Sequence, residues 1–201
     1  MRKKTLIIGV IGLQGAVSEH LQMLKTLGAE GVWVRRKSQL KNLQGLIIPG
    51  GESTTISKLM QKSGMFNEIK RMGKKGSPIM GTCAGLILLA KKGDLQTKKT
   101  KTKLLGLMNM EINRNAFGRQ KESFEKNIKL KIFQKPFHCI FIRAPIIKKA
   151  FGKTRVLGRI KEGIILAEKG NLLACAFHPE LTSDLRIHEY FLKKVKAHWK
   201  K

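Results

Sequence analysis

The stretch that most restricts the fold is Gly81 Thr82 Cys83 Ala84 Gly85 Leu86. Ile79 and Met80 lead into it as the end of a short apolar strand, and Leu86 to Leu89 leave it as the first turns of a helix. Glycines on both sides of the cysteine let two backbones crowd at a sharp strand-to-helix turn, which lifts the side chain above a sheet. At a helix start, unpaired N–H groups favour an anionic sulfur. On its own the feature also fits a small buried cysteine in a packed turn. Its neighbours elsewhere in the chain decide between the two.

The segments around it have the rhythm of an open α/β sheet. Residues 5–13 are continuously apolar, as in a central parallel strand covered on both faces. Val17, Leu21, Leu24 and Leu27 then fall at helical spacing and Gly28 stops the helix. Strands are expected at 32–34, 46–48 and 79–80, with helices running from Ser53 or Thr54 to Lys62 and over 65–72. Residues 91–103 carry six lysines and read as an exposed loop. Beyond them the pattern shortens into strand-like pieces at 107–112, 128–133, 139–142, 156–160, 164–167 and 172–177, followed by a final helix that Asp184 can cap. The expectation is one domain over residues 1–201, a three-layer mixed sheet with helices on both faces.

Charge bounds the function classes. Lys and Arg number 41 against 13 Asp and Glu, a net +28. The lysines are spread along the chain and no nucleic-acid module with interleaved aromatics is present, so specific nucleic-acid binding is not expected. No apolar run reaches the ~18 to 20 residues needed to cross a bilayer. Arg2 to Leu13 lacks the cleavage site of a signal peptide. Three cysteines without paired spacing fit a reducing, cytoplasmic setting.

A second chemical element follows the strand at 172–177, in Phe177 His178 Pro179 Glu180. In extended backbone, residues two apart share a face, so the carboxylate can orient the imidazole. By the same parity Cys175 points away from His178 and reads, with Cys139, as core. His20, His138, His188 and His198 have no comparable setting. A third element, Pro49 Gly50 Gly51 Glu52 Ser53, lies at a strand's C-terminal end, where open sheets bind ligands. Gln14 and Gly15 follow the first strand at that same edge.

The Gly-x-Cys-x-Gly turn with His-x-Glu far downstream resembles the class I glutamine amidotransferases, which have a flavodoxin-like sheet and a Cys-His-Glu triad. Within them the chain is similar to the glutaminase subunits of pyridoxal 5'-phosphate synthase. Six blocks carry the likeness: LQGAVSEH at 13–20, PGGEST at 49–54, GTCAGL at 81–86, RNAFGRQ at 114–120, FIRAP at 141–145 and FHPELT at 177–182. The resemblance implies that Cys83 is the nucleophile, His178 the general base and acid, and Glu180 its orienting partner. It implies that Gly51, Glu52, Ser53, Arg114, Ile142 and Arg143 hold L-glutamine, an arginine suiting the α-carboxylate. Gly51 and Ala84 are the expected oxyanion donors, and Gln14 an activation relay. No cofactor or metal is called for. The implied partner is a (β/α)8-barrel synthase subunit in a hetero-oligomeric complex, which receives the ammonia for vitamin B6 biosynthesis. Two other readings stay open: a glutaminase of another class I pathway such as imidazole glycerol phosphate synthase, and a non-catalytic basic binding protein on this fold. The lysine-threonine stretch at 98–103 has no counterpart among the blocks.

Overall fold

The computed structural model describes residues 5–114 and 123–200. Strands β1 (Ile7–Ile11), β2 (Glu30–Val34), β3 (Gly45–Ile48) and β4 (Ile79–Thr82) form a parallel run within one mixed sheet. Its order runs β2-β1-β3-β4-β12-β11-β9-β6-β5. Here β5 is Ala90–Lys92, β6 Met108–Asn113, β9 Ile146–Ala150, β11 Gly163–Lys169 and β12 Leu172–Cys175. Strand β12 is parallel to β4 and antiparallel to β11, so it is where the sheet changes character. Strand β10 (Arg155–Ile160) pairs with β11 beside the main path. A separate antiparallel ribbon joins β7 (Ser123–Ile128) to β8 (Phe137–Ile142).

Helices cover both faces, and the glycines show which. A Cβ on Gly45 of β3 would strike Val195 and Phe191 of α6 (Arg186–Trp199). Gly81 of β4 pairs with Ile48, whose side of the pleat is opposite to that of Gly45, and a Cβ there would strike Gly85 and Leu89 of α4 (Ala84–Leu89). Helix α1 (Val17–Thr26) touches α6 through His20 and His188, whereas α2 (Ser53–Lys62) packs on α3 (Met65–Lys74) and α4. The core is continuous across both layers. Ile8, Val10, Leu46, Ile47 and Ile48 are fully buried, each such side chain contributing about 1.5–3 kcal/mol.

Four local expectations are corrected. Helix α2 is capped by Glu52, whose carboxylate accepts from the Thr54 and Thr55 N–H groups, rather than by Ser53 or Thr54. Residues 91–103 are not a plain loop: Asp94 caps a short helix, α5 (Leu95–Lys99), and Thr97 and Thr102 are buried. The strand expected at 128–133 ends at Ile128, because Leu130 and Phe133 close a turn, and β9 had no expected counterpart. Helix α6 starts at Arg186; Asp184 lies two residues earlier and still accepts from the Arg186 N–H.

Candidate active site

Three loops leave the C-terminal ends of three adjacent parallel strands. Ile48 of β3 is level with Gly81, and Thr82 of β4 is level with Cys175 of β12. The turns carrying Gly50 and Gly51, Cys83, and His178 therefore open on one edge. Backbone bonds fix their height: the Cys83 N–H donates to Cys175 O at 2.8 Å, and the His178 N–H to Ile140 O at 2.8 Å. Cys83 has φ 46° and ψ −100°, a strained setting for a residue with a side chain and the mark of a nucleophile turn. Gly85 is required beside it, since a Cβ there would lie 2.0 Å from Ile48 O.

His178 and Glu180 meet by a route different from the expected one. The backbone is not extended: Pro179–Leu181 form a 3-10 turn that brings the Glu180 side chain back over the imidazole. The Nδ1–H of His178 donates to Glu180 Oε1 at 2.7 Å, while the Cys83 Sγ–H faces Ile142 O at 3.9 Å on the same cleft wall as the imidazole. With Nδ1 committed, Nε2 is the nitrogen left for the sulfur. All three side chains are buried. Burial works against the imidazolium, yet the neighbouring Cys83 sulfur and the bond to the Glu180 carboxylate raise the His178 pKa. Burial also pushes the Glu180 carboxyl up, but His20, then His178, outweighs it and the carboxylate is held below its ordinary range. Cys175 is a poor rival: desolvation drives its thiol well above the ordinary value, and that of Cys139 to about 12.

Cys83 and His178 open into a cleft of about 560 Å³ that Gln14, Gly51, Glu52, Ser53, Arg114, Ile142 and Arg143 also line. Every residue expected to hold substrate is on that wall. Ser53 Oγ is buried and has no hydrogen-bond partner among the described residues. Gly51 has φ 143°, open only to a residue without a side chain, and Arg143 sits at φ 41°. Gln14 Oε1 accepts from the Glu52 N–H at 3.2 Å, and a Cβ on Gly15 would lie 1.7 Å from Gly50 O, so the two loops touch backbone to backbone.

Arg114 faces Glu52 at the far end of the cleft, Nη2 to Oε1 at 3.0 Å. Partial burial raises the Glu52 pKa, but the Thr54 and Thr55 N–H groups prevail and bring it down to about 2. The guanidinium is also braced by Thr54 and Thr100 through Nη1, at 3.4 and 3.3 Å, and Thr100 and Thr54 both bond Thr102, at 2.7 and 2.8 Å. The lysine-threonine stretch that matched no block thus supports Arg114. The remainder of the RNAFGRQ block, residues 115–120, lies outside the described residues.

Sequence reasoning passed over His20 and His188. Both are fully buried, and His20 Nε2 lies 3.5 Å from Glu180 Oε2. A signal existed: His20 is three residues after Val17 and four before Leu24, on the apolar stripe of α1.

Residues 10–197 match the SNO glutamine amidotransferase family. The chain belongs to that family. Relatives include the pyridoxal 5'-phosphate synthase subunit PdxT of Methanosarcina barkeri, 52% identical over 94% of this chain and 97% of that protein. PdxT of Pyrococcus furiosus is 51% identical over 94% and 98%. A solved glutamine amidotransferase superposes with a TM-score of 0.87 at 43% identity, covering 94% of this chain and 98% of the other. PurLQS from Thermotoga maritima, 18% identical with a TM-score of 0.63 over 99% of this chain and 100% of that one, shares the fold. The α/β architecture expected from the sequence is thus that of this family. Among the described residues, no helix is long and apolar enough to cross a membrane.

Proposed function

We propose that the chain is the glutaminase subunit of a pyridoxal 5'-phosphate synthase, one cytoplasmic catalytic domain hydrolysing L-glutamine to glutamate and ammonia. The observation that carries this is the Glu180–His178 hydrogen bond with its imidazole on the same cleft as Cys83, in a chain half identical to PdxT proteins. The Cys83 thiolate attacks the carboxamide carbon. Negative charge developing on the oxygen meets the N–H groups of Gly51 and Ala84, donors of a kind worth about 2.7–4 kcal/mol each. His178 protonates the departing ammonia, leaving a glutamyl thioester on Cys83. It then takes a proton from water, which attacks the thioester and releases glutamate.

At the other end, Arg114 suits the α-carboxylate and Glu52 the α-ammonium, with Gly51, Ser53, Ile142 and Arg143 shaping the wall between. These steps call on no cofactor. Ammonia protonated in bulk water is lost as a nucleophile, so it must pass to a synthase subunit, a (β/α)8 barrel in a hetero-oligomeric complex. The bond from the Glu52 N–H to Gln14 supports a role for Gln14 in relaying docking of that subunit to the Gly51 turn. Mixing the chain with a pyridoxal 5'-phosphate synthase barrel subunit should release glutamate from glutamine. Cys83→Ala should abolish the release, a loss of at least about 10⁴-fold. Stimulation by an imidazole glycerol phosphate synthase barrel instead would overturn the pathway while keeping the chemistry.

A further inference from the structure

Behind the triad lies a second line of buried polar contacts that the mechanism above does not use. His20 of α1 and His188 of α6 are fully buried and meet Nδ1 to Nε2 at 2.9 Å. His20 Nε2 lies 3.2 Å from Thr82 Oγ1 and 3.5 Å from Glu180 Oε2. That oxygen has no hydrogen-bond partner among the described residues, whereas Oε1 holds His178. His20 thus spans the strand that ends in Cys83, the turn that carries His178 and Glu180, and the last helix.

The proton order along this line follows from burial. Desolvation outweighs the pull of Glu180 and keeps His20 neutral; desolvation, then His20, brings His188 down to about 3. Two neutral rings can serve a carboxylate in one arrangement only. His188 Nε2–H donates to His20 Nδ1, which leaves His20 Nε2–H to face Glu180 Oε2 and the Thr82 hydroxyl oxygen. In that arrangement His188 Nδ1 is a bare acceptor, and it has no partner among the described residues.

We propose that His20 is a positioning residue of the triad, its Nε2–H aimed at the second oxygen of Glu180 and its ring fixed by His188 and Thr82. A buried carboxylate held through one oxygen can swing about that bond. A donor on the other oxygen prevents this and keeps Oε1 presented to His178. The inference rests on the proposed triad, and its first test needs neither glutamine nor the synthase.

The groups facing His20 are Glu180 and His178 from the triad turn, Glu19 from α1, His188 from α6 and Thr82 from β4. The Nε2–H of neutral His20, 3.5 Å from Glu180 Oε2, favours the ionised carboxylate, so loss of His20 lets Glu180 take a proton at higher pH. His178 then loses its counter-charge and the Cys83 thiolate loses its partner. The acid limb of Cys83 alkylation must therefore move up. The experiment follows iodoacetamide labelling of the full chain against pH, with Cys83 resolved from Cys139 and Cys175 by peptide mass spectrometry. His20→Asn places its amide at the Nδ1 position, keeping the His188 contact and losing that to Glu180; His20→Gln reaches the Nε2 position. The expected result is an acid limb shifted up by about one pH unit in His20→Asn and near its original place in His20→Gln. With a synthase subunit present, His20→Asn should lower kcat about tenfold at unchanged KM, and His20→Gln should restore most of it. An unmoved limb in His20→Asn, or equal shifts in the two variants, would overturn the assignment. A wild-type chain that labels as expected but releases no glutamate would instead count against the proposed function alone.

Discussion

The two ends of the cleft are built by different physics. At the sulfur end the side chains are buried, the backbone at Cys83 is strained, and each group is fixed by a strand end or by a neighbour across the sheet. At the other end Glu52 is 45% exposed at its side chain, and Arg114 is held by a salt bridge and hydroxyl groups rather than by apolar packing. The contrast fits the two tasks proposed for them. Bond making needs atoms held within a fraction of an ångström in a dry setting, whereas recognition of a charged substrate needs full charges that water can reach and leave. Glu52 and Arg114 satisfy each other while the cleft is empty, so neither pays the full cost of an unpaired charge.

The comparison breaks most sharply at Glu180. Glu180→Gln keeps the shape but cannot stabilise the imidazolium, so kcat for glutamine hydrolysis with a synthase subunit should fall about 10³-fold with little change in KM. A variant that kept more than a tenth of the rate would show that the carboxylate is structural. Next comes Gly50→Ala. Its new Cβ would lie 2.4 Å from His178 Cε1 and push the ring off the sulfur, for a loss of about 100-fold in kcat, read in the same assay.

At the recognition end the sign of the split should reverse. Arg114→Ala should raise KM about tenfold or more and leave kcat nearly intact, as shown by steady-state kinetics over a range of glutamine concentrations. The smallest effect is expected from Thr100→Val, which removes one brace of the guanidinium and should raise KM about two- to fivefold. Because the Glu52 pKa is about 2, neither KM effect should vary with pH between 6 and 9 through Glu52.

The sulfur end was the more legible in sequence, and the same contrast explains why. Strand ends, glycine turns and a proline after the histidine are local signals, and Cys83, His178, Gly51 and Gln14 could be placed on one edge from them. The antiparallel half was read less well. Ser123–Ile128 lacks an apolar run and is mostly exposed, and Ile146–Ala150 follows a proline and carries two lysines, so pairing with a neighbouring strand overrides weak local pattern. The support for Arg114 was invisible because Thr100, Thr102 and Thr54 converge only after folding, although Asp94 followed by Thr97 was a readable cap. The pairing of His20 with His188 joins the first helix to the last. No local rule forecasts such a contact.

The central claim is that one sulfur of three does the chemistry. It is tested most directly by incubating the chain and a synthase subunit with a diazoketone analogue of glutamine and mapping the adduct by mass spectrometry. The account predicts a stoichiometric adduct on Cys83 in the wild type, with glutamine protecting against it, and strongly slowed labelling in Glu180→Gln. An adduct on Cys139 or Cys175, or equal labelling of Cys83 with and without glutamine, would contradict it.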